Sequence, residues 1–484
     1  PIDGVMQGDY EPYTLLIAPQ KQQMITIASD YKFSRNIVGG FEFALSKKDI
    51  NTFSILDKHN DAGIASKIYL QHNSYFDTLK KAIILKQEVS YEFTEAYFSE
   101  IDRFRPVEFE RNWNLQHSNA LSNKHLFTYN MQFEQSKTPI ATLQSDYLTT
   151  NNFKGFKNTL KTDIKAKNII LNTNTSILLS EHLHFKTNFI QQKGTISTKA
   201  FKLAPGIAFE HEYNIFKDTS NILIDNSYHF YELEGFITQQ SDTSLTQFRL
   251  YAKTRNNNDT RNNTLMHLSS SKEAGAKLQK QIAPMNNLSL LLAYREIKLS
   301  PTSPPELKAD KNFISRIEYN LRIWKNAVSS TIYYETGTGV ESKKEYSYLE
   351  VLPGQGQYTW TDYNGNNIKE LDEFETAQFQ DEANYIRILK PVNEYININY
   401  LNCNTSLHIE PSRIWNANSN KIKKLLSKFS NRFNYSLYRK TASDMFQAKF
   451  DPIYDNTKDT SLIQLQSNIK NIFFLNRAHP RFSA

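Results

Sequence analysis

The sequence predicts an all-β fold, specifically an antiparallel transmembrane β-barrel of roughly 16–20 strands with long polar loops. Three observations predict it. Apolar and polar side chains alternate with a period of two through most of the chain. Many alternating segments run for roughly 10–14 residues, whereas globular strands average about 5–6 and membrane-spanning strands need about 9–11. The stretches between them are rich in Asn, Asp, Ser and Lys, which favour turns.

The segment FISRIEYNLRIW, residues 313–324, shows the alternation clearly. Phe313, Ile317 and Leu321 share one face, while Arg316 and Glu318 share the other. Such patterns predict strands at 11–18, 22–29, 35–45, 64–72, 85–97, 125–133, 182–189, 222–238, 245–254, 286–299, 313–324, 327–335, 345–352, 394–409, 431–440 and 461–475. Polar loops are predicted at 57–63, 254–264 and 300–312, and a short helix or irregular crossing at 95–114.

Alternation alone fits a soluble β-sandwich or stacked sheets as well as a barrel, because both have one polar face. Strand length favours the barrel. Aromatic residues near predicted strand ends suit the interfacial girdle of a transmembrane barrel; they are Trp324, Tyr333, Tyr334, Tyr346 and Tyr348. The soluble fold therefore stays open as the alternative.

Composition excludes several classes of protein. Of the 484 residues, 13% are aromatic, which argues against a disordered chain. No apolar run approaches the roughly 18 residues of a membrane helix. The single Cys403 excludes an intrachain disulfide. The net charge of +7 is dispersed, so we expect no nucleic-acid partner.

The chain shows no signal peptide at its start, and its last residues stop just after a strand-like run. We therefore expect a segment trimmed at both ends from a longer protein. Within it we expect a single β-barrel domain spanning 1–484, with a long inserted loop at 353–393.

That inserted loop contains WTDYNGNNIKELDEFE, residues 360–375, here called the acidic loop. Oxygen-bearing side chains recur at the spacing of an EF-hand calcium loop, in which six to eight oxygens surround the ion at about 2.3–2.6 Å. The expected Ca²⁺ ligands are the side chains of Asp362, Asn364, Asn366, Glu370 and Glu373 and the carbonyl of Ile368. The alternative is a solvated Asn/Asp loop without an ion.

The acidic loop departs from the EF-hand pattern in three ways. The apolar Ile368 stands at position 7, whereas the pattern has its apolar residue at position 8. Asn367 stands where Gly is usual, although Asn also tolerates a positive φ. No helix precedes the loop, although the residues that follow, ELDEFETAQF, could form one. No nucleophile or positioned histidine accompanies the carboxylates, so we expect no catalytic residues and no enzyme.

The run from GQGQYTW to PVNEY, residues 354–395, resembles a segment of large outer-membrane-associated proteins of Bacteroidota, and EFALSKKDINTFS at 42–54 has the same character. The resemblance covers about a tenth of the chain. It implies a β-rich membrane protein in the envelope of a Gram-negative bacterium, and it implies no activity.

Together these features predict a barrel in the outer membrane that serves transport or protein export. Its partners would be outer-membrane lipids and other envelope proteins. Two alternatives remain: a non-conducting barrel that displays binding loops at the surface, and a secreted soluble β-sheet binding protein.

Overall fold

The computed structural model describes residues 18–54, 56, 58–78, 81–115, 121–135, 138–198, 203–239, 245–304, 309–415, 420–455 and 457–477. Within these residues the strands form one antiparallel sheet of 21 strands, and the helices are short. The prediction of an all-β antiparallel fold is therefore confirmed, with slightly more strands than expected. The strand predicted at 11–18 falls outside the described residues except for its last position.

The chain divides into two compact units. The first comprises Pro1–Ile237, Lys253–Ser271 and Lys298–Lys308, and the second comprises Thr238–Ala252, Lys272–Ile297 and Ala309–Ala484. No helix of the described residues is long and apolar enough to cross a bilayer.

Eleven strands and one helix build the first unit, apart from the last residues of the eleventh strand. They are β1 (Lys21–Lys32), β2 (Ile37–Asp49), β3 (Ala62–Thr78), β4 (Lys81–Thr94), α1 (Phe109–Asn112), β5 (Lys124–Gln135), β6 (Thr138–Thr149), β7 (Phe153–Ala166), β8 (Ile169–His182), β9 (Phe185–Thr198), β10 (Ala204–Asp218) and β11 (Tyr228–Gln239). From β1 to β10 each strand pairs antiparallel with the next one in the chain.

Two further strands, β12 (Thr246–Arg261) and β13 (Thr264–Ala283), contribute residues to both units. The second unit is otherwise built from β14 (Asn286–Leu299), β15 (Asp310–Ile323), β16 (Val328–Glu350), β17 (Tyr358–Trp360), β18 (Phe374–Thr376), β19 (Tyr385–Ile409), α2 (Lys421–Leu426), β20 (Phe429–Thr441), α3 (Phe446–Phe450) and β21 (Leu462–Leu475). Strands β16 and β19 pair from Val328 opposite Ile409 to Glu350 opposite Tyr385.

The structure corrects several of the predicted segments. Those at 327–335 and 345–352 belong to one strand, β16, and the segment predicted at 222–238 is a continuous strand only from Tyr228. The strand predicted at 182–189 is confirmed over its second half, where β9 begins at Phe185, but Leu183 and His184 form the turn after β8. The loop predicted at 254–264 is mostly strand, because β12 continues to Arg261. Its turn is only Asn262 and Asn263, whose φ values of 47° and 58° suit the left-handed conformation that Asn tolerates.

The irregular crossing predicted at 95–114 is confirmed. Residues 95–115, here called the crossing segment, follow β4 and contain only the single-turn helix α1. A small buried apolar cluster forms around Trp113 of this segment. In the second unit a separate cluster joins Leu401, Cys403 and Leu437.

Candidate functional site

One face of the sheet in the first unit carries a continuous row of large apolar side chains. The register places them opposite one another on the consecutive strands β2 to β8. This apolar row is Phe41, Ile68, Tyr91, Phe127, Tyr147, Phe156 and Leu179. Apart from Tyr91, each of these side chains is between 38% and 60% exposed. Soluble monomers rarely expose so extended an apolar patch. The row therefore indicates a surface that contacts a membrane or another protein.

The opposite face of the same strands is polar. Glu42, Lys67 and Glu92 are direct cross-strand neighbours on β2, β3 and β4. On β5 and β6, Thr128 Oγ1 donates a hydrogen bond of 2.8 Å to Asp146 Oδ1. The period of two in each strand therefore produces a sheet with one apolar and one polar face.

The crossing segment lies against this polar face. At its beginning, the Ser99 N–H donates to Ser46 Oγ at 2.9 Å, and Gln22 Nε2 donates to Ser99 Oγ at 3.1 Å. A Cβ atom at Gly63 would overlap the backbone of Phe98, so glycine is required where the segment passes over β3. These contacts join the segment to β1, β2 and β3.

The end of the crossing segment is fixed against later strands. Trp113 is 1% exposed and packs among Leu148, Phe153, Leu178 and Phe189. Asn114, with a φ of 53°, donates from Nδ2 to Thr187 Oγ1 at 2.9 Å and to Asn214 Oδ1 at 3.0 Å. The segment therefore reaches from the first strands of the unit to β10.

Two arginines of the crossing segment pair with carboxylates of the sheet. Arg105 pairs with Glu92, and burial lowers the pKa of Arg105 while its guanidinium keeps its charge at neutral pH. Arg111 donates to Glu212, which is 2% exposed, and to Tyr228 Oη at 3.2 Å. Glu212 is the buried member of these pairs, so removing Arg111 would leave its charge without this partner, and the two pairs connect the segment to β4 and β10.

The acidic loop belongs to the second unit and connects β17 to β18, which pair antiparallel. Its most buried carboxylate is Glu373, which is 2% exposed. This carboxylate accepts hydrogen bonds from Trp360 Nε1 at 2.9 Å and from the N–H groups of Tyr363 and Glu370, both at 3.3 Å. The buried Glu373 carboxylate therefore connects the beginning of the loop to its end.

Asp362 organises the first half of the loop. Its two carboxylate oxygens accept the N–H groups of Gly365 at 2.7 Å and Asn367 at 2.9 Å. Both residues have positive φ values, 74° for Gly365 and 56° for Asn367. Asn367 thus adopts the left-handed conformation for which Gly is usual at this position of a calcium loop.

The remaining predicted ligands also bond within the loop. Asn364 Oδ1 accepts the Asn366 N–H at 2.9 Å, and Asn366 Oδ1 accepts the Ile368 N–H at 2.6 Å. Glu370 accepts the side-chain amides of Asn364 at 2.9 Å and Asn366 at 3.4 Å. In the described part of the chain no three His, Cys, Asp or Glu side chains come together as a metal site, so a cation here would need amide and carbonyl oxygens as well.

The helix that ELDEFETAQF could form is absent, and that prediction is wrong. The chain makes a 3₁₀ turn at Leu371–Glu373 and then forms β18. Phe374 stacks on Tyr348 of β16 with ring centroids 4.0 Å apart, and this packing favours a strand. An ion pair of 2.8 Å with Glu350 ties Lys369 to β16 and raises the pKa of Lys369.

The contacts of the crossing segment could not be predicted from the sequence. Asn114 bonds to residues 73 and 100 positions later in the chain, and Arg111 bonds to one 101 positions later. The only local signal was the interruption of the strand pattern around a tryptophan.

No protein-family model and no curated protein matches the sequence. Among solved structures, the copper transporter OprC aligns with 89% of this chain at 7% identity and a TM-score of 0.31, and the chain spans 63% of its length. The outer membrane transporter YddB from Escherichia coli aligns with 94% of the chain and 75% of its own, at 7% identity and a TM-score of 0.26. P. aeruginosa FpvA aligns with 94% of the chain and 63% of its own, at 9% identity and a TM-score of 0.28. The similarities are distant, so function is inferred below from the chain's own residues.

We predict that Trp113→Ala loosens the crossing segment. Removing this buried side chain should destabilise the fold by about 3–5 kcal/mol because the cavity cannot close fully. Hydrogen exchange measured by mass spectrometry should be faster in residues 109–115. The matched control is Val107→Ala on the same segment, where the side chain is 76% exposed. Equal exchange in the two variants would show that Trp113 does not hold the segment.

Proposed function

We propose that this chain is a transmembrane β-barrel of a bacterial outer membrane that serves transport or protein export. The observation that carries the proposal is the apolar row across β2 to β8. In a barrel whose apolar face points outward, this row would contact the lipid tails of the membrane. Five of its seven members are Phe or Tyr, the residues enriched in the girdle at a membrane interface.

The polar face and the crossing segment support passage of a polar cargo. In a barrel this face would line the interior, which is polar and wet. A segment held there by Arg105 with Glu92 and by Arg111 with Glu212 would narrow the interior and present charges to whatever passes. A barrel that only displayed loops would have no need of such an element.

Connection lengths in the first unit support an outer-membrane location. The connections after β1, β3, β5 and β7 span at most four residues, whereas the two longest, 50–61 and 95–123, follow β2 and β4. Short turns on one side and longer loops on the other are typical of outer-membrane barrels, whose long loops are extracellular. The proposed partners are therefore outer-membrane lipids and other envelope proteins.

The acidic loop is proposed to hold Ca²⁺. Asp362 and Glu373 each have about four lone pairs and use two or three of them for N–H groups of the loop, so each retains capacity for a cation. Asn364, Asn366 and Glu370 supply further oxygens, and Ile368 supplies a carbonyl. The ion would stiffen the connection between β16 and β19.

The central proposal is tested by purification and planar-bilayer recording. We expect the protein to fractionate with outer membranes, to require detergent for solubility and to conduct ions after reconstitution. Solubility in buffer without detergent would exclude the membrane proposal. Insertion without conductance would favour the surface-display alternative over transport.

A pair of arginine substitutions on β8 tests which face meets lipid. Leu179→Arg, at a side chain that is 55% exposed in the apolar row, should reduce folding into vesicles because an arginine on the lipid face costs about 2–4 kcal/mol at mid-membrane. The matched control is Asn172→Arg, at an exposed position on the polar face of the same strand. Equal folding yields on a gel-shift assay would contradict the assignment of the faces.

Calorimetric titration with Ca²⁺ tests the acidic loop. The wild type should bind Ca²⁺ and become more stable by about 2.7 kcal/mol at a free concentration 100 times the Kd. Asp362→Asn with Glu373→Gln should abolish binding, because each substitution removes a negative charge and leaves only one acceptor oxygen. The control Glu375→Gln alters a carboxylate outside the ligand pattern that accepts from Tyr363 Oη at 2.7 Å. If the control loses binding equally, or if the wild type does not bind Ca²⁺, the alternative of a solvated Asn/Asp loop without an ion is favoured.

A further inference from the structure

A cavity of about 680 Å³ opens on the polar face of the second unit. It lies where β15 turns into β16 and where β19 ends. Its lining combines two guanidinium groups, an imidazole, amides and hydroxyls, and it contains no carboxylate. The polar side chains among its lining residues are Asn287, Asn320, Arg322, Asn326, Ser329, Ser330, Thr331, Ser406, His408 and Arg413.

The strand register explains how these groups come together. Arg322 on β15 lies opposite Ser329 on β16, Ser329 lies opposite His408 on β19, and His408 lies opposite Arg432 on β20. Directly opposed residues of neighbouring antiparallel strands have Cβ atoms about 4.5–5.5 Å apart. The sheet therefore holds Arg322, Ser329 and His408 of the lining in one transverse row, which Arg432 extends, while Arg413 lies in the 3₁₀ turn Pro411–Arg413 after β19.

The next row of the same face supplies neutral hydrogen-bonding groups. Asn287, Asn320, Thr331, Ser406 and Asn434 are consecutive cross-strand partners on β14, β15, β16, β19 and β20. Amide and hydroxyl groups beside cations are what a polar, oxygen-rich solute requires for orientation.

Positive charge is poorly balanced at this end of the unit. Arg413 pairs with Glu410 at 2.6 Å, and Glu410 lies 3.9 Å from His408. No described carboxylate pairs with Arg322, whose guanidinium contacts only Met285 Sδ at 3.9 Å. The sequence from 411 to 434 contains six lysines and arginines and no Asp or Glu. Like charges gathered in this way repel one another unless an anion lies between them.

We propose that this cavity binds a multiply charged anionic solute about the size of a phosphorylated or sulfated disaccharide. The proposal deepens the proposed transport function by naming the class of cargo, and to that extent it rests on it. Arg322 and Arg413 bind the anionic groups, since a guanidinium matches phosphate, sulfate and carboxylate oxygens in a bidentate manner. The amides and hydroxyls of the neighbouring row bind the neutral oxygens. A volume of 680 Å³ suits a small ligand.

The test is calorimetric titration of the detergent-solubilised chain with sucrose octasulfate, with sucrose as the uncharged probe of the same skeleton. We expect binding of the octasulfate only, weakening as salt is raised because the attraction is screened. Arg322→Gln and Arg413→Gln should each weaken binding by about tenfold, since each removes a charge-assisted hydrogen bond. Both arginines are exposed, so neither substitution is expected to unfold the chain.

The matched control is Lys390→Gln, an exposed cation on β19 opposite Glu345 and far along the strand from His408. It should leave octasulfate binding unchanged. Equal binding of sucrose and its octasulfate, no binding of either, or equal weakening by Lys390→Gln would overturn the proposal.

Direct binding does not require conduction. A chain that binds octasulfate but forms no channel would support this site and contradict the transport function. A conducting chain that does not bind it keeps transport and loses this site.

Discussion

The alternation of apolar and polar side chains, held in register from strand to strand, is the constraint on which the rest of the structure depends. A single strand with this pattern only defines two faces. The pairing of β2 to β8 aligns those faces so that the apolar row runs through seven strands without a polar member. Shifting one strand by a single residue would turn its side chains to the other face, so the register itself is under strong constraint.

The same constraint explains the crossing segment. On the polar face of the first unit, Glu212 is 2% exposed and the side chain of Glu92 is 21% exposed, so both carboxylates require charged or hydrogen-bonding partners. Arg105 and Arg111 of the segment pair with these two groups, and Trp113 packs among buried apolar side chains of the same face. In the second unit, Glu410 lies 3.9 Å from His408 of the row from Arg322 to Arg432, but no carboxylate among the described residues pairs with Arg322, and this difference underlies the proposed anion site.

Much of the fold could be predicted from the sequence where the alternation is strong. The segment 313–324 and the predicted strand at 286–299 correspond closely to β15 and β14. Strands β7 and β8 are among those that the sequence does not predict, because Asn158, Thr162, Thr173 and Thr175 interrupt their apolar faces and weaken the periodicity there. The Asn-rich end of β12 resembled a loop because Asn favours turns in isolation, whereas here Asn257 bonds to Ser269 of the neighbouring strand.

The site could be predicted only where its residues are close in sequence. The spacing in the acidic loop anticipated the positive φ of Asn367, but the packing of Phe374 on Tyr348 and the contacts of the crossing segment depend on distant strands.

The claim that the apolar row faces lipid is tested most directly by spin labels placed along β8, one at a time, in a Cys403→Ser background in vesicles. Oxygen should accelerate the spin relaxation of labels at 177 and 179. A water-soluble nickel complex should accelerate that of labels at 172, 174 and 176. Equal access of the nickel complex to all five positions would contradict the account.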